Sequence, residues 1–179
     1  AQLNAIRYPA HGDPALAARI AHALGDAGLS ASIAAHHGLD HGVWVPLRRM
    51  FAQARLPLVT VSIDPRGDAA QHAALGRALS FLPGEDVLVI GSGGFTHNLG
   101  ALRWDAPQAP EDARTAAFAD WFGARLAAAD CSALLDWQQR APHAAHNHPT
   151  TEHLLPLFVA WGAAGPTPRA EHLHRALEF

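Results

Sequence analysis

Thirteen histidines stand in a chain of 179 residues, and eight of them fall in three stretches. These are AHHGLDHGVWVP (35–46), GSGGFTHNL (91–99) and HAAHNHPTTEH (143–153). Imidazole is both a nitrogen ligand for transition metals and the side chain that exchanges protons near neutrality. A chain with this histidine pool and a single cysteine, Cys131, therefore has no thiolate cluster for zinc or iron–sulfur, and its candidate chemistry is metal ligation by nitrogen or acid–base catalysis. Cys131 itself has no local feature that would depress its pKa and reads as a small buried or boundary residue.

Within each stretch one histidine stands out. His41 lies between Asp40 and Gly42, where a carboxylate neighbour can orient an imidazole, whereas His36 and His37 read as solvated. His97 follows a Gly-Ser-Gly-Gly turn that delivers Thr96, His97 and Asn98 to one place. His153 follows Thr150, a plausible N-cap, which would set His153 in the first turn of a helix running through Trp161. On spacing alone a bland reading stays open, with solvated loop histidines and no shared site. No HExxH, paired CxxC or GxSxG pattern is present.

The elements that must position these residues follow from periodicity. Asp13 caps a helix with Pro14 at its first position, and Leu16, Ile20 and Leu24 repeat at helical spacing until Gly28. Leu29 to Ile33 alternates as a short strand, and a helix is expected from Val45 to Ala54. Leu58 to Ile63 is β-branched and strand-like, Asp68 opens a helix with Ala74, Leu75, Ala78, Leu79 and Leu82 inward, and Val87 to Ile90 is a second buried strand. Strand, helix, strand with short links predicts parallel pairing. A long helix follows from Glu111, a shorter one spans Cys131 to Arg140, and Leu173, Arg175 and Leu177 suggest a last strand. The fold class expected is therefore α/β, one domain over residues 1–179 with a mostly parallel central sheet flanked by helices.

Composition bounds the partners. A hydrophobic content of 49%, 16% charged residues and a net charge of −3 suit a compact globule and argue against a nucleic-acid surface. No apolar run reaches spanning length, so no membrane partner is expected, and one cysteine makes the cytoplasm the default compartment. The chain begins without a start methionine, as if inside a longer protein.

The strings LDHGVWVPL (39–47), VLVIGSGGFTHNL (87–99) and HPTTEHLLPLFVAWGAAG (148–165), with RYPAHGDPALA (7–17), resemble the class III extradiol ring-cleaving dioxygenases, in the branch of the 4,5-DOPA extradiol dioxygenases. The resemblance implies an α/β domain that binds Fe(II), or Zn(II) in some preparations, and opens a small catechol with O2 next to its two hydroxyls. It implies His153 as a metal ligand, from the family's EH motif. It implies His97, from the THN motif, as acid–base and as a second residue that can be counted among the ligands. His41, from the DHG motif, is expected to contact substrate or oxygen.

The family's two other ligand histidines come from His-Gly-Ser-Pro and Ser-Ala-His-Trp segments, and neither string occurs here. The family's closing Gly-x-Leu-Ser-Met strand is also absent. The chain is thus expected to be the larger part of such an enzyme, with a catalytically inactive metal- or ligand-binding remnant as the alternative. A zinc hydrolase is a third and less favoured reading. The truncated ends make partner contacts, including a homo-oligomer, an expectation, and Trp44, Phe95 and Trp161 are the aromatic candidates for a pocket lining, Phe95 first.

Overall fold

A computed structural model describes residues 6–106 and 109–176. They fall into two compact units, Ala1–Ser62 and Ile63–Phe179.

In the first unit the helical signals hold. Helix α1 (Pro14–Asp26) begins where Asp13 accepts the Leu16 amide proton at 2.9 Å, satisfying an amide that has no partner inside the helix. Its buried face is Ile20 and Leu24. Beyond it Gly28 takes φ +76°, a conformation that costs glycine little and lets the chain turn away. Helix α2 (His41–Met50) begins a turn earlier than the expected Val45 and stops short of Ala54. Asp40 explains the early start, because its carboxylate accepts the Val43 amide proton at 3.1 Å. The unit also holds one isolated parallel bridge, Gly12 to Leu58, made through the Leu58 amide and the His11 carbonyl at 2.9 Å.

The second unit carries the larger core. Helix α3 (Ala69–Ala78) opens on a reciprocal capping box, with Asp68 accepting from the Gln71 amide at 2.8 Å and Gln71 accepting from the Asp68 amide at 2.9 Å. A 3-10 turn, Leu82–Glu85, leads into the 87–99 stretch. Helix α4 (Ala113–Ala127) is capped by Asp112. The expected helix from Cys131 to Arg140 is divided into α5 (Cys131–Leu135) and α6 (Trp137–Arg140), and Cys131, expected to be a buried or boundary residue, is exposed at the start of α5. Helices α7 (Ala144–Asn147) and α8 (Leu155–Ala163) complete the set. Phe118, Phe122, Trp137, Phe158, Leu134, Leu154 and Leu155 are all but fully buried. Each such side chain contributes about 1.5–3 kcal/mol relative to exposure.

Helices α3 and α8 meet at glycines. A Cβ on Gly76 would collide with the Val159 carbonyl, and one on Gly162 with the Ala73 carbonyl, so the two backbones touch where neither has a side chain. The buried residues of α3 are Ala69, His72, Ala73 and Gly76; of the inward residues expected from the sequence, Leu79 and Leu82 are buried just beyond the helix, while Ala74, Leu75 and Ala78 are half-buried.

The expected α/β architecture with a mostly parallel central sheet is overturned: among the described residues there is no strand and no sheet. Leu29 to Ile33, Leu58 to Ile63 and Val87 to Ile90 are unpaired apart from the bridge at Leu58, so the expected parallel pairing on either side of α3 does not form. Val87 and Val89 are half-buried while Leu88 and Ile90 are 67% and 45% exposed, so the alternation of a strand survives without its ladder. β-Branched residues favour an extended backbone, but a strand also needs a second segment to receive its hydrogen bonds. The expected last strand is likewise absent: residues 169–176 are irregular, Leu173 is 84% exposed, and Leu177 lies outside the described residues.

Candidate functional site

The Gly-rich loop of residues 91–98 lies directly against the chain between His146 and Pro156. A Cβ on Gly91 would strike the Pro156 carbonyl, and one on Gly93 would strike the His153 carbonyl. Glycine is needed at both places for close backbone approach rather than for an unusual φ. The vacated space is used at once, since the Gly94 amide donates to the His153 carbonyl at 2.9 Å.

Three further bonds lace the same two segments. The His97 amide donates to the Asn147 carbonyl at 2.9 Å, the Asn98 side-chain amide donates to the His146 carbonyl at 2.6 Å, and the His148 Nε2 lies 2.7 Å from the Phe95 carbonyl. Asn98 also accepts from the Gly100 amide at 3.0 Å, which caps the short turn Leu99–Ala101. Asn147 is fully buried and braces the other side, its Nδ2 donating to His143 at 3.0 Å and to Arg114 at 3.3 Å through their carbonyls.

The outcome is that His97 and His153 stack face to face, with ring centroids 3.4 Å apart and planes 10° from parallel. Both are half-buried. The Glu152 carboxylate stands 3.2 Å from the His153 Nδ1 and accepts the Thr150 hydroxyl proton at 2.8 Å. Its own backbone amide is the largest influence holding Glu152 below the ordinary carboxylate range, with the Thr150 bond and the nearby His153 and His97 acting in the same sense. Thr150 is therefore not the N-cap expected of it: α8 begins at Leu155, and His153 sits in the turn before the helix, where the Leu154 amide donates to Thr151 at 2.9 Å.

Of the predicted site residues, His97 and His153 are brought together. His41 belongs to the other unit, exposed at the first position of α2, and its neighbour Asp40 is engaged with the Val43 amide. Phe95 is 41% exposed and meets Phe122 edge-on at 5.9 Å. Trp161 is half-buried against the core, and Trp44 is half-buried in the first unit. Sequence reasoning gave little weight to His148, Asn98 and Asn147, the residues that tie the loop down. Their one signal was placement, Asn98 beside His97 and Asn147–His148 a few residues before His153.

Residues 2–179 match the family described as the catalytic LigB subunit of aromatic ring-opening dioxygenase. The chain belongs to the LigB family. Its relatives include proteins named 4,5-DOPA dioxygenase extradiol from Beta vulgaris, 38% identical over 178 residues, and from Mirabilis jalapa, 36% identical over 176. Those matches take in 98% and 97% of this chain but only 65% and 64% of the relatives. A crystal structure of an uncharacterized Escherichia coli K12 protein superposes with a TM-score of 0.76 at 32% identity, over 89% of this chain and 65% of that one. The chain thus spans just under two-thirds of the length of these LigB relatives. The resemblance carried by the 39–47, 87–99 and 148–165 stretches is borne out at the level of family and branch.

The LigB assignment raises the question of a metal, and the stacked pair answers part of it. The nitrogen lone pairs of an imidazole lie in the ring plane, so two rings stacked 3.4 Å apart and nearly parallel do not direct them at one ion. Among the described residues no group of three or more His, Cys, Asp or Glu is arranged to hold a metal. The described donors therefore do not by themselves fit a metal. No helix among the described residues is long and apolar enough to cross a membrane.

Proposed function

We propose that the protein opens the ring of a catechol-type substrate with O2 beside its two hydroxyls, with His97 as the acid–base group. The observation that carries this reading is the stacked His97–His153 pair, built from two separate motifs and held by hydrogen bonds from both. The names of the LigB relatives support the reaction class.

A catechol must lose hydroxyl protons before its ring becomes electron-rich enough to react with O2, and a half-buried imidazole beside the ring can accept one. His97 is suited to this because its backbone amide is bonded to Asn147 and its ring face is covered by His153, which together limit its orientation. The half-exposed Phe95, two residues away, offers an apolar face for the substrate ring. His41 is proposed to contact substrate or oxygen, on the motif resemblance alone.

Fe(II), or Zn(II), is proposed as the metal on the motif resemblance, with His153 as one nitrogen donor. Anaerobic loading of the intact protein with Fe(II), followed by a panel of catechols and O2, tests the reading. Oxygen uptake with a yellow ring-opened product is the expected result. Loaded protein that neither consumes O2 nor forms product with any catechol would overturn it.

A further inference from the structure

His148 lies outside the pair that the ring-opening reading uses, yet it is the more deeply buried histidine, only 4% exposed. Its ring is walled by Phe118 and Trp137, each centroid 5.5 Å away, and both of those side chains are buried in the core. Its Nε2 meets the Phe95 carbonyl at 2.7 Å, while its Nδ1 is buried without a hydrogen-bond partner. A carbonyl oxygen only accepts, so the bond requires a proton on Nε2; a proton on Nδ1 would be buried with nothing to receive it.

Phe95 stands two residues before His97. His146, Asn147 and His148 each hold one point of the loop, taking Asn98, the His97 amide and the Phe95 carbonyl in turn. His146 and Asn147 do this with backbone carbonyls, which any residue would supply. His148 does it with its side chain, anchored in the aromatic core.

We propose that His148 is a positioning residue: as the neutral Nε2–H tautomer it clamps the Phe95 carbonyl to the aromatic core and thereby sets the His97 ring against His153. This rests on the ring-opening reading for its consequence in catalysis, but the placement of the two rings is measurable without turnover.

The test uses the intact protein with ring-15N-labelled histidine, in wild type and in the variants His148→Gln and His148→Leu. Gln carries an amide N–H at about the reach of Nε2, whereas Leu keeps bulk and has no donor. In wild type, long-range 1H–15N spectra should show His148 protonated on Nε2 and bare on Nδ1, and the His97 ring protons should carry the upfield shift of a stacked ring. His148→Gln should keep that shift and His148→Leu should lose it. In the metal-loaded enzyme, kcat should fall about ten- to a hundred-fold in His148→Leu, with KM little changed and most of the loss restored in His148→Gln.

A wild-type His148 carrying its proton on Nδ1 would overturn the proposal. So would a folded His148→Leu that keeps the His97 shift, or a folded His148→Gln that loses it. If His148→Leu fails to fold, the wild-type tautomer and the Gln variant still decide. The expected spectra in a protein that turns over no catechol would uphold the clamp and overturn the ring-opening reading alone.

Discussion

The His153 carbonyl accepts the Gly94 amide proton at 2.9 Å, so the backbone of one stacked histidine is bonded three residues ahead of the other. The His97–His153 stack is therefore a property of two backbones brought together at glycines, before any contact between the rings.

Substituting His97 should remove activity and leave the fold. In His97→Ala the amide bond to Asn147 is retained and the core is untouched, so stability should change by less than about 1 kcal/mol in a urea titration. Turnover of a catechol by the metal-loaded enzyme should fall about 10²- to 10⁴-fold, the usual range for loss of a general acid–base group. Unchanged turnover would remove His97 from the reaction.

Gly93→Ala should act on His153 without touching its side chain. The new methyl would meet the His153 carbonyl oxygen, and relief requires the loop and the turn to part. A loss of about 1–3 kcal/mol is expected, together with loss of the ring stack in the NMR spectrum. Gly123→Ala is the control: nothing lies within 4 Å of its new methyl, and alanine within α4 should stabilise by up to about 1 kcal/mol.

The α3–α8 contact gives a second steric test. Gly162→Ala places a methyl against the Ala73 carbonyl and Gly76→Ala places one against Val159, in backbones with no flexible group to yield. Each should cost about 1–3 kcal/mol or more by thermal or urea unfolding. The double variant should cost less than the sum, because the first methyl already separates the helices.

Acidification should destabilise the second unit through His148. Burial is the main influence that lowers its pKa from the ordinary 6.5, opposed by the bond to Phe95 and aided by the nearby His153 and His97. Between the lowered value and 6.5 the unfolded chain binds more protons than the folded one, so stability rises with pH across that window. The contribution is complete above about pH 6.5 and is lost as pH falls toward the folded value. Urea midpoints measured across that range should fall more steeply with acid in wild type than in His148→Gln. Parallel curves would show that His148 does not titrate differently on folding.

Helices were legible because their signals are local. Asp13 with Pro14 and Asp68 with Gln71 start helices through bonds that span three residues, and those starts are where the sequence places them. Strands were not, because Val87 to Ile90 carries the composition of a strand while the hydrogen bonds that would make it one depend on a segment elsewhere. The break between α5 and α6 was not legible either: Ala133, Leu134 and Trp137 are buried while Cys131 is exposed, a division that the spacing of apolar residues only outlines.

By itself the sequence determined the LigB membership, the capped helices and the three histidine motifs, since each is carried by residues close together in the chain. Only the tertiary structure decided that His97 stacks on His153, that His148 is buried with its Nε2 on Phe95, and that Gly91 and Gly93 are glycines for contact. These depend on two segments distant in the chain approaching within hydrogen-bond distance, at Gly91 and Gly93 on one side and above a core that includes Phe118, Phe122, Trp137 and Leu154, and neither motif read alone contains the other.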